Sequence, residues 1–385
     1  MPTSSPDVAA LRDAIVSLRR QIHEDPELSW QETRTAARVH GFLDQSGLAV
    51  RGGIGGTGVL ASTGGTGRSV LLRVDMDALP LQETTGAAYA SRVPEVMHAC
   101  GHDGHVAMGA GAARVLGART LAGGVRVLFQ PAEEGEGGAQ AMVAAGVLDG
   151  VSSVFGVHLW NELPVGTLGV KSGPLMAAVD RVQIVVRGRG GHGGKPHRSA
   201  DPVVAAAHVV TALQTVVARE ASPLQSAVLT IGSIHGGQAF NVIPDEVTLL
   251  GTIRTFDDGL RRSMPERVTR IARGVAEGLQ CTAAVEVRAG NPPVVNDAAM
   301  AEIAARAAAS VVGEAGVVSP EPTMGGEDMA VYFDRVPGCF VFVGSANPAR
   351  GLDQPHHSPR FDFDEDALAI GTEFLVAVAE EALRA

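Results

Sequence analysis

Along residues 6–47 the apolar positions recur with a helical period, which predicts two amphipathic helices. Asp25-Pro26 separates them, because proline lacks a backbone donor and restricts the residue before it. The pattern then changes. Val59-Leu60-Ala61 and Ser69 to Val74 are short apolar runs between glycine-rich turns, and Gly124 to Phe129 and Val154 to Leu159 have the continuous apolar character of buried strands. Helical stretches at 103–118 and 138–146 fall between them. This alternation predicts an α/β layer with a largely parallel sheet.

The middle of the chain has a different rhythm. Arg181-Val182-Gln183-Ile184-Val185-Val186-Arg187 alternates as a strand does, 201–219 is helical, 226–234 and 245–255 are strands, 258–278 is a helix and 282–288 a strand. That order, β-α-β-β-α-β, is the split βαβ pattern of a ferredoxin-like domain. After Pro292-Pro293 come a helix, a strand, a loop and a closing helix from about residue 365. The expected organisation is a discontinuous domain, 1–177 with 291–385, and an inserted domain, 178–290.

Composition narrows the function. The chain has 385 residues, 45% hydrophobic but only 4% aromatic, so its core must rest on closely packed aliphatic residues. A net charge of -11 and few basic clusters argue against nucleic acid or an anionic membrane as partner. Cys100, Cys281 and Cys339 are too few and scattered for a disulfide framework, which points to the cytoplasm. Neither an apolar run of about 18 residues nor a signal-peptide pattern is found, so no membrane span is expected.

The densest chemistry lies in Met97-His98-Ala99-Cys100-Gly101-His102-Asp103-Gly104-His105, which offers imidazoles, a thiol and a carboxylate beside two glycines that permit a tight turn. Upstream, Asp75 and Asp77 end a predicted strand, spaced to point the same way and to orient ligating imidazoles from behind. Downstream, Glu133-Glu134 follows another buried strand, where ligands gather in open α/β sheets. One of these acids could bind metal while the other moves a proton. His158 and the pair His356-His357 extend the same logic. Taken singly, His158 reads as a hydrogen-bonded core histidine, Glu133-Glu134 as a solvated turn and Cys100 as a small buried hydrophobe. Together, at strand ends, they read as a metal site.

Two glycine-rich stretches imitate phosphate-binding loops. Gly53-Ile54-Gly55-Gly56-Thr57-Gly58 has the dinucleotide spacing, but a strand-like run follows where a phosphate-binding helix should start, which disfavours a nucleotide-dependent oxidoreductase. Gly188 to His197 lacks the G-K-[ST] ending of a phosphate loop.

These motifs resemble the M20 metallopeptidase and amidohydrolase family, especially its branch of hippurate hydrolases, auxin-conjugate hydrolases and N-acyl-amino-acid amidohydrolases. The resemblance spans nearly the whole chain. It rests on Asp75-Met76-Asp77-Ala78-Leu79-Pro80, His98-Ala99-Cys100-Gly101-His102-Asp103, Gln130-Pro131-Ala132-Glu133-Glu134 and Gly156-Val157-His158. Gly190-Gly191-His192-Gly193, Asn241-Val242-Ile243-Pro244, Gly325-Gly326-Glu327-Asp328 and His357-Ser358-Pro359 complete it. It implies a zinc-peptidase-like catalytic domain with an inserted lid and dimerisation domain. It further implies that Cys100, His102, Glu134, His158 and His357 hold two divalent metals, with the Cys100 thiolate bridging them. Asp75, Asp77 and Asp103 stand behind the ligands. Glu133 is implied as the general base, taking a proton from water and passing it to the departing nitrogen. His192 would help hold the oxyanion, in some members from a partner subunit, and Asn241 and Arg254 would contact substrate, Arg254 as a fork for an α-carboxylate. His357 is preferred over His356 because the family pattern sets the ligand directly before a small polar residue and proline. His98, His105 and His197 remain possible supporting or substrate contacts.

The expected function is hydrolysis of N-acyl amino acids, hippurate-like, N-acetyl or auxin-conjugate-like, by a homodimer or homotetramer. Deacetylation of N-acetyl-diaminopimelate and dipeptide hydrolysis are neighbouring readings. A non-catalytic metal-binding protein should lack the free carboxylate that Glu133 supplies. Zinc, manganese, cobalt and nickel all suit the donor set.

Overall fold

The computed structural model describes residues 5–44, 46–65 and 67–385; Gln45, within the stretch expected to be helical, lies outside them. The helices are α1 (Pro6–His23), α2 (Thr33–Leu43), α3 (His102–Gly117), α4 (Gly138–Ala144), α5 (Pro202–Thr215), α6 (Asp258–Gly278), α7 (Ala298–Val312), α8 (Ala330–Phe333) and α9 (Asp366–Arg384). The strands are β1 (Ala49–Ile54), β2 (Gly58–Ser62), β3 (Ser69–Asp75), β4 (Gly124–Gln130), β5 (Ser153–Pro164), β6 (Leu168–Gly169), β7 (Gly173–Met176) and β8 (Ala178–Arg187). They continue with β9 (Gly191–His192), β10 (Ala227–His235), β11 (Val242–Ile243), β12 (Glu246–Thr255), β13 (Thr282–Ala289), β14 (Val294–Asn296), β15 (Val317–Val318) and β16 (Gly338–Ala346). The chain divides into two compact units, Met1–Leu175 with Val295–Glu321 and Asp328–Ala385, and Met176–Val294 with Pro322–Glu327.

The first unit is built on a sheet of order β1-β2-β4-β3-β5-β16-β6-β15. Its centre, β4-β3-β5-β16, is parallel. These strands are buried almost throughout, as strands covered on both faces must be. The sheet is less parallel than the sequence suggests. β1 pairs antiparallel with β2, because Gly53 to Gly58 forms a hairpin turn with Gly53, Gly55 and Gly56 at positive φ, and β2 also runs antiparallel to β4. That turn accounts for the dinucleotide-like glycine run, which opens no helix. Helix α3 is buried on nearly every side, consistent with its Ala- and Gly-rich sequence. At Gly109 a Cβ would lie 2.8 Å from Val74, so the missing side chain lets the helix approach β3 closely.

The second unit is a four-stranded sheet of order β10-β12-β8-β13, all pairs antiparallel, with α5 and α6 packed on it. The chain order β8-α5-β10-β12-α6-β13 is β-α-β-β-α-β. Val182, Ile184 and Val186 face its core from alternate positions of β8, and Leu260, Met264, Val268, Ala272 and Ala276 face it from α6 at four-residue spacing. One described helix, Pro202–Glu220, is long and apolar enough by composition to cross a membrane. Its Ala205, Ala206, Val209, Leu213 and Val216 belong to this unit's core.

Candidate metal centre

The central parallel strands deliver the site at their carboxyl ends, as open α/β sheets do. Asp75 ends β3, and Glu133-Glu134 follows the end of β4 across Pro131 and Ala132. Strand β5 runs on to Pro164, past the expected end at Leu159, so His158 lies within it, two residues beyond Gly156, its last partner to β3. Gly101, with φ 86°, turns the chain into α3 and sets Cys100 and His102 on either side of the turn. Ala132 and His357 also adopt positive φ, 55° and 63°, where L-residues are uncommon.

These segments converge. Ligand atoms of Cys100, His102 and His158 lie within 4.8 Å of one another, as do those of Cys100, Glu134 and His357, and of His102, Glu133 and Glu134. His158 Nδ1 lies 2.7 Å from the Leu159 carbonyl oxygen, which only accepts, so Nδ1 carries the proton. The unprotonated Nε2 then faces Cys100 Sγ at 3.5 Å. His357 Nε2 stands 3.1 Å from Glu134 Oε1, a contact that raises the pKa of the imidazole. His356 is spent elsewhere: its Nε2 donates to the same Leu159 carbonyl at 2.8 Å, and burial lowers its pKa to about 4.

The carboxylates behind the cluster hold it in shape. Asp77 accepts Ser29 Oγ at 2.7 Å and the backbone N–H groups of Glu133 and Glu134 at 3.0 Å each, and its Oδ1 stands 3.4 Å from His102 Nδ1. Asp75 accepts His105 Nδ1 at 2.6 Å and Arg73 Nη1 at 2.7 Å. Because His105 Nε2 accepts the Leu159 N–H, His105 is the Nδ1–H tautomer, with both nitrogens bonded. Asp103 departs from the expectation. Its Oδ2 bonds Arg19 Nε at 2.7 Å and His23 Nδ1 at 2.8 Å, and none of its hydrogen bonds runs to a ligating imidazole. His98 is buried, and burial lowers its pKa to about 3.

The electrostatics suit cations. Burial opposes charge on His102, yet Asp75 and Asp77 raise its pKa to about 10. Burial pushes the Cys100 thiol up, and Glu134, Glu133 and Asp75 push it further. The carboxylates that cause these shifts thus crowd negative charge into a poorly solvated place. His102 Nε2 is buried without a hydrogen-bond partner among the described residues, which native structures rarely tolerate. A thiol, imidazoles and a carboxylate with open donor atoms fit a divalent transition cation.

The remaining expected residues belong to the second unit. His192 is exposed, and its Nδ1 accepts the Gly194 N–H at 2.9 Å, which leaves Nε2 to carry the proton in the neutral ring. Asn241 is exposed at the entry to β11. Arg254 bonds Thr252 Oγ1 at 2.9 Å, has no carboxylate partner among the described residues, and has its pKa lowered by burial. His197 is exposed in a 3₁₀ turn, and Gly190 N is bonded to Asp245, so the second glycine-rich stretch forms no phosphate cradle.

Sequence reasoning missed a buried network beneath the site. Arg73 donates to Gln130 Oε1 and Asp328 Oδ1 as well as to Asp75, while Tyr332 Oη donates to Gln130 Oε1 and Gln130 Nε2 to Asp328 Oδ2. The signal was available in Leu71-Leu72-Arg73-Val74, where a charge interrupts a strand otherwise buried throughout.

Comparison with known proteins agrees with this geometry. The sequence profile of Peptidase family M20/M25/M40 matches residues 71–381. The chain is 42% identical to N-acetylcysteine deacetylase of Bacillus subtilis (strain 168), covering 96% of this chain and 97% of that protein. It is 40% identical to IAA-amino acid hydrolase ILR1-like 4 of Arabidopsis thaliana, covering 95% and 85%. Among solved structures, a putative aminohydrolase from methicillin-resistant Staphylococcus aureus superposes with TM-score 0.90 at 35% identity, covering 98% of each chain. The Bacillus subtilis YXEP protein, described as a dinuclear metal binding peptidase, superposes with TM-score 0.85 at 37% identity, covering 98% and 99%. With its fold, its cluster of open donor atoms and these likenesses in agreement, the chain belongs to Peptidase family M20/M25/M40 and is a metal-dependent hydrolase.

Proposed function

We propose that the protein hydrolyses the amide bond of N-acyl amino acids, giving a carboxylic acid and a free amino acid, with two divalent cations held by Cys100, His102, Glu134, His158 and His357. The observation that carries this reading is the meeting of those five side chains, from four separate segments, beside a further carboxylate, Glu133. The relatives named for N-acetylcysteine and IAA-amino acid substrates favour the acyl-amino-acid class, and the likeness to the dinuclear metal binding peptidase of Bacillus subtilis favours two cations. Three buried free cysteines favour a reducing, cytoplasmic setting.

When bound, the cations would supply Lewis-acid polarisation of a water and of the amide carbonyl. Glu133 takes a proton from the attacking water and hands it to the amide nitrogen, so that the C–N bond breaks with a neutral amine leaving. Its backbone is fixed for that transfer by Asp77, and its Oε2 lies 4.0 Å from His102 Nε2. His192, with its Nδ1 occupied by Gly194 N–H, offers Nε2–H to the developing oxyanion. Arg254, which has no carboxylate partner among the described residues, takes the α-carboxylate of the amino acid, and Asn241 contacts the amide.

The test is an assay of the metal-loaded protein on N-acetyl, N-benzoyl and N-indoleacetyl amino acids, N-acetyl-diaminopimelate and dipeptides, in parallel with Glu133→Gln. The N-acyl amino acids should be the better substrates. The variant should keep its metal and lose at least about a hundredfold in rate. Undiminished turnover by Glu133→Gln would remove the assigned base, and turnover of dipeptides alone would replace the substrate class.

A further inference from the structure

We propose that Arg19 is a positioning residue that locks the Cys100–His102 turn to the loop carrying His357, and so sets how tightly the cation at Cys100, Glu134 and His357 is kept. The inference rests on the metal-centre reading above.

Arg19 lies on α1, far in sequence from every ligand, and is fully buried. Its guanidinium reaches two ligand-bearing segments at once. Nε donates to Asp103 Oδ2 at 2.7 Å, and Asp103 directly follows His102. Nη2 donates to Asp362 Oδ1 at 2.8 Å, five residues after His357. Nη1 reaches Glu365 at 3.3 Å, and the rings of Phe363 and Tyr89 lie 4.3 Å and 4.7 Å from the guanidinium carbon. A planar fork with donors in fixed directions can span two carboxylates in this way, and a lysine ammonium cannot.

The His357 loop has reason to need such an anchor. His357 is exposed, holds a backbone conformation with φ 63°, and is tied to the ligand turn through its own N–H to the Ala99 carbonyl at 2.8 Å. Phe361 N closes the loop onto Ser358 O, and the next residue is Asp362, whose carbonyl also accepts Asn161 Nδ2 at 2.9 Å. Tension or slack between Asp103 and Asp362 is therefore transmitted to His357 relative to Cys100. Contacts made directly to ligating side chains are worth about 10- to 100-fold in metal affinity, and that range bounds the effect of one acting through the backbone.

The experiment uses Arg19→Lys, Asp362→Asn and Tyr89→Phe, each loaded with Co²⁺. The last variant deletes a hydrogen bond to the same Asp362 but leaves the ion pairs of Arg19 with Asp103, Asp362 and Glu365. Ions retained against a chelator are counted, the visible Co²⁺ spectrum is recorded, and melting is followed on the same samples. Wild type should hold two ions. Arg19→Lys and Asp362→Asn should release one ion about 10- to 100-fold more readily, with altered d–d bands, while Tyr89→Phe keeps both. Should Arg19→Lys fail to fold, the near-isosteric Asp362→Asn decides alone. Folded variants that retain both ions with an unchanged spectrum overturn the clamp and leave the metal centre standing. Equal ion loss from Tyr89→Phe overturns it too, because loss would then follow general destabilisation. A wild type that binds no Co²⁺ overturns the metal-centre reading and the clamp together.

Discussion

Asp77 illustrates how much a single buried carboxylate does here. It gathers one hydroxyl and two consecutive backbone N–H groups, and thereby fixes both acids of the Glu133-Glu134 pair. Burial opposes its ionisation, but His102 and Ser29 hold its pKa below the ordinary carboxylate value. Asp77→Asn turns one acceptor into a donor facing a backbone N–H and leaves a buried group unpaired, at a cost of about 1–3 kcal/mol. The expected outcome is a loss of about 10- to 100-fold in metal affinity, measured by chelator competition. Unchanged affinity would show that the Glu32 contact with Ala132 N fixes the loop without Asp77. At this scale the clustering of donor side chains was legible, because Cys100, His102, Glu133 and Glu134 stand in short polar groups at the ends of apolar runs. Asp103 was misjudged: its place in the motif says nothing of Arg19 and His23, which claim its carboxylate from α1. Arg19 and Arg73 were overlooked because a charge among apolar positions is ambiguous until its partners are known.

Among the elements, long periodic segments matched the structure closely, as with α6 over Asp258–Gly278 and the alternating β8. Two-residue strands such as β6, β15, β9 and β11 are too short to show any period, and β1 was hidden by its glycines. The second unit leaves elements uncovered. Strand β10 is an edge of its sheet, and Val203 and Val204 on α5, Ile234 on β10 and Phe240 are exposed. A long edge strand and exposed apolar residues are features that proteins usually cover. We propose that a second copy covers them, in the homodimer or homotetramer expected from the sequence. Sedimentation at micromolar concentration should give a dimer or tetramer for wild type and a smaller species for the combined Val204→Glu and Ile234→Lys variant. A wild-type monomer would end that assignment.

At the scale of the whole chain, order along the sequence carried the most information. A β-α-β-β-α-β segment interrupting an α/β alternation suggested an insertion at 178–290, whereas the second compact unit comprises Met176–Val294 and also Pro322–Glu327. Order does not reveal register, and the antiparallel pairs of the first unit include a glycine hairpin whose spacing imitates a nucleotide loop, and β6 against β16. Function follows from convergence: β4, β5, the turn before α3 and the loop before α9 bring a thiol, imidazoles and acids to one place. Anomalous diffraction from crystals soaked in a zinc salt tests this most directly. The account predicts two strong peaks, both among Cys100, His102, Glu134, His158 and His357. Soaked crystals with no peak there, or with zinc bound only elsewhere on the molecule, would contradict it.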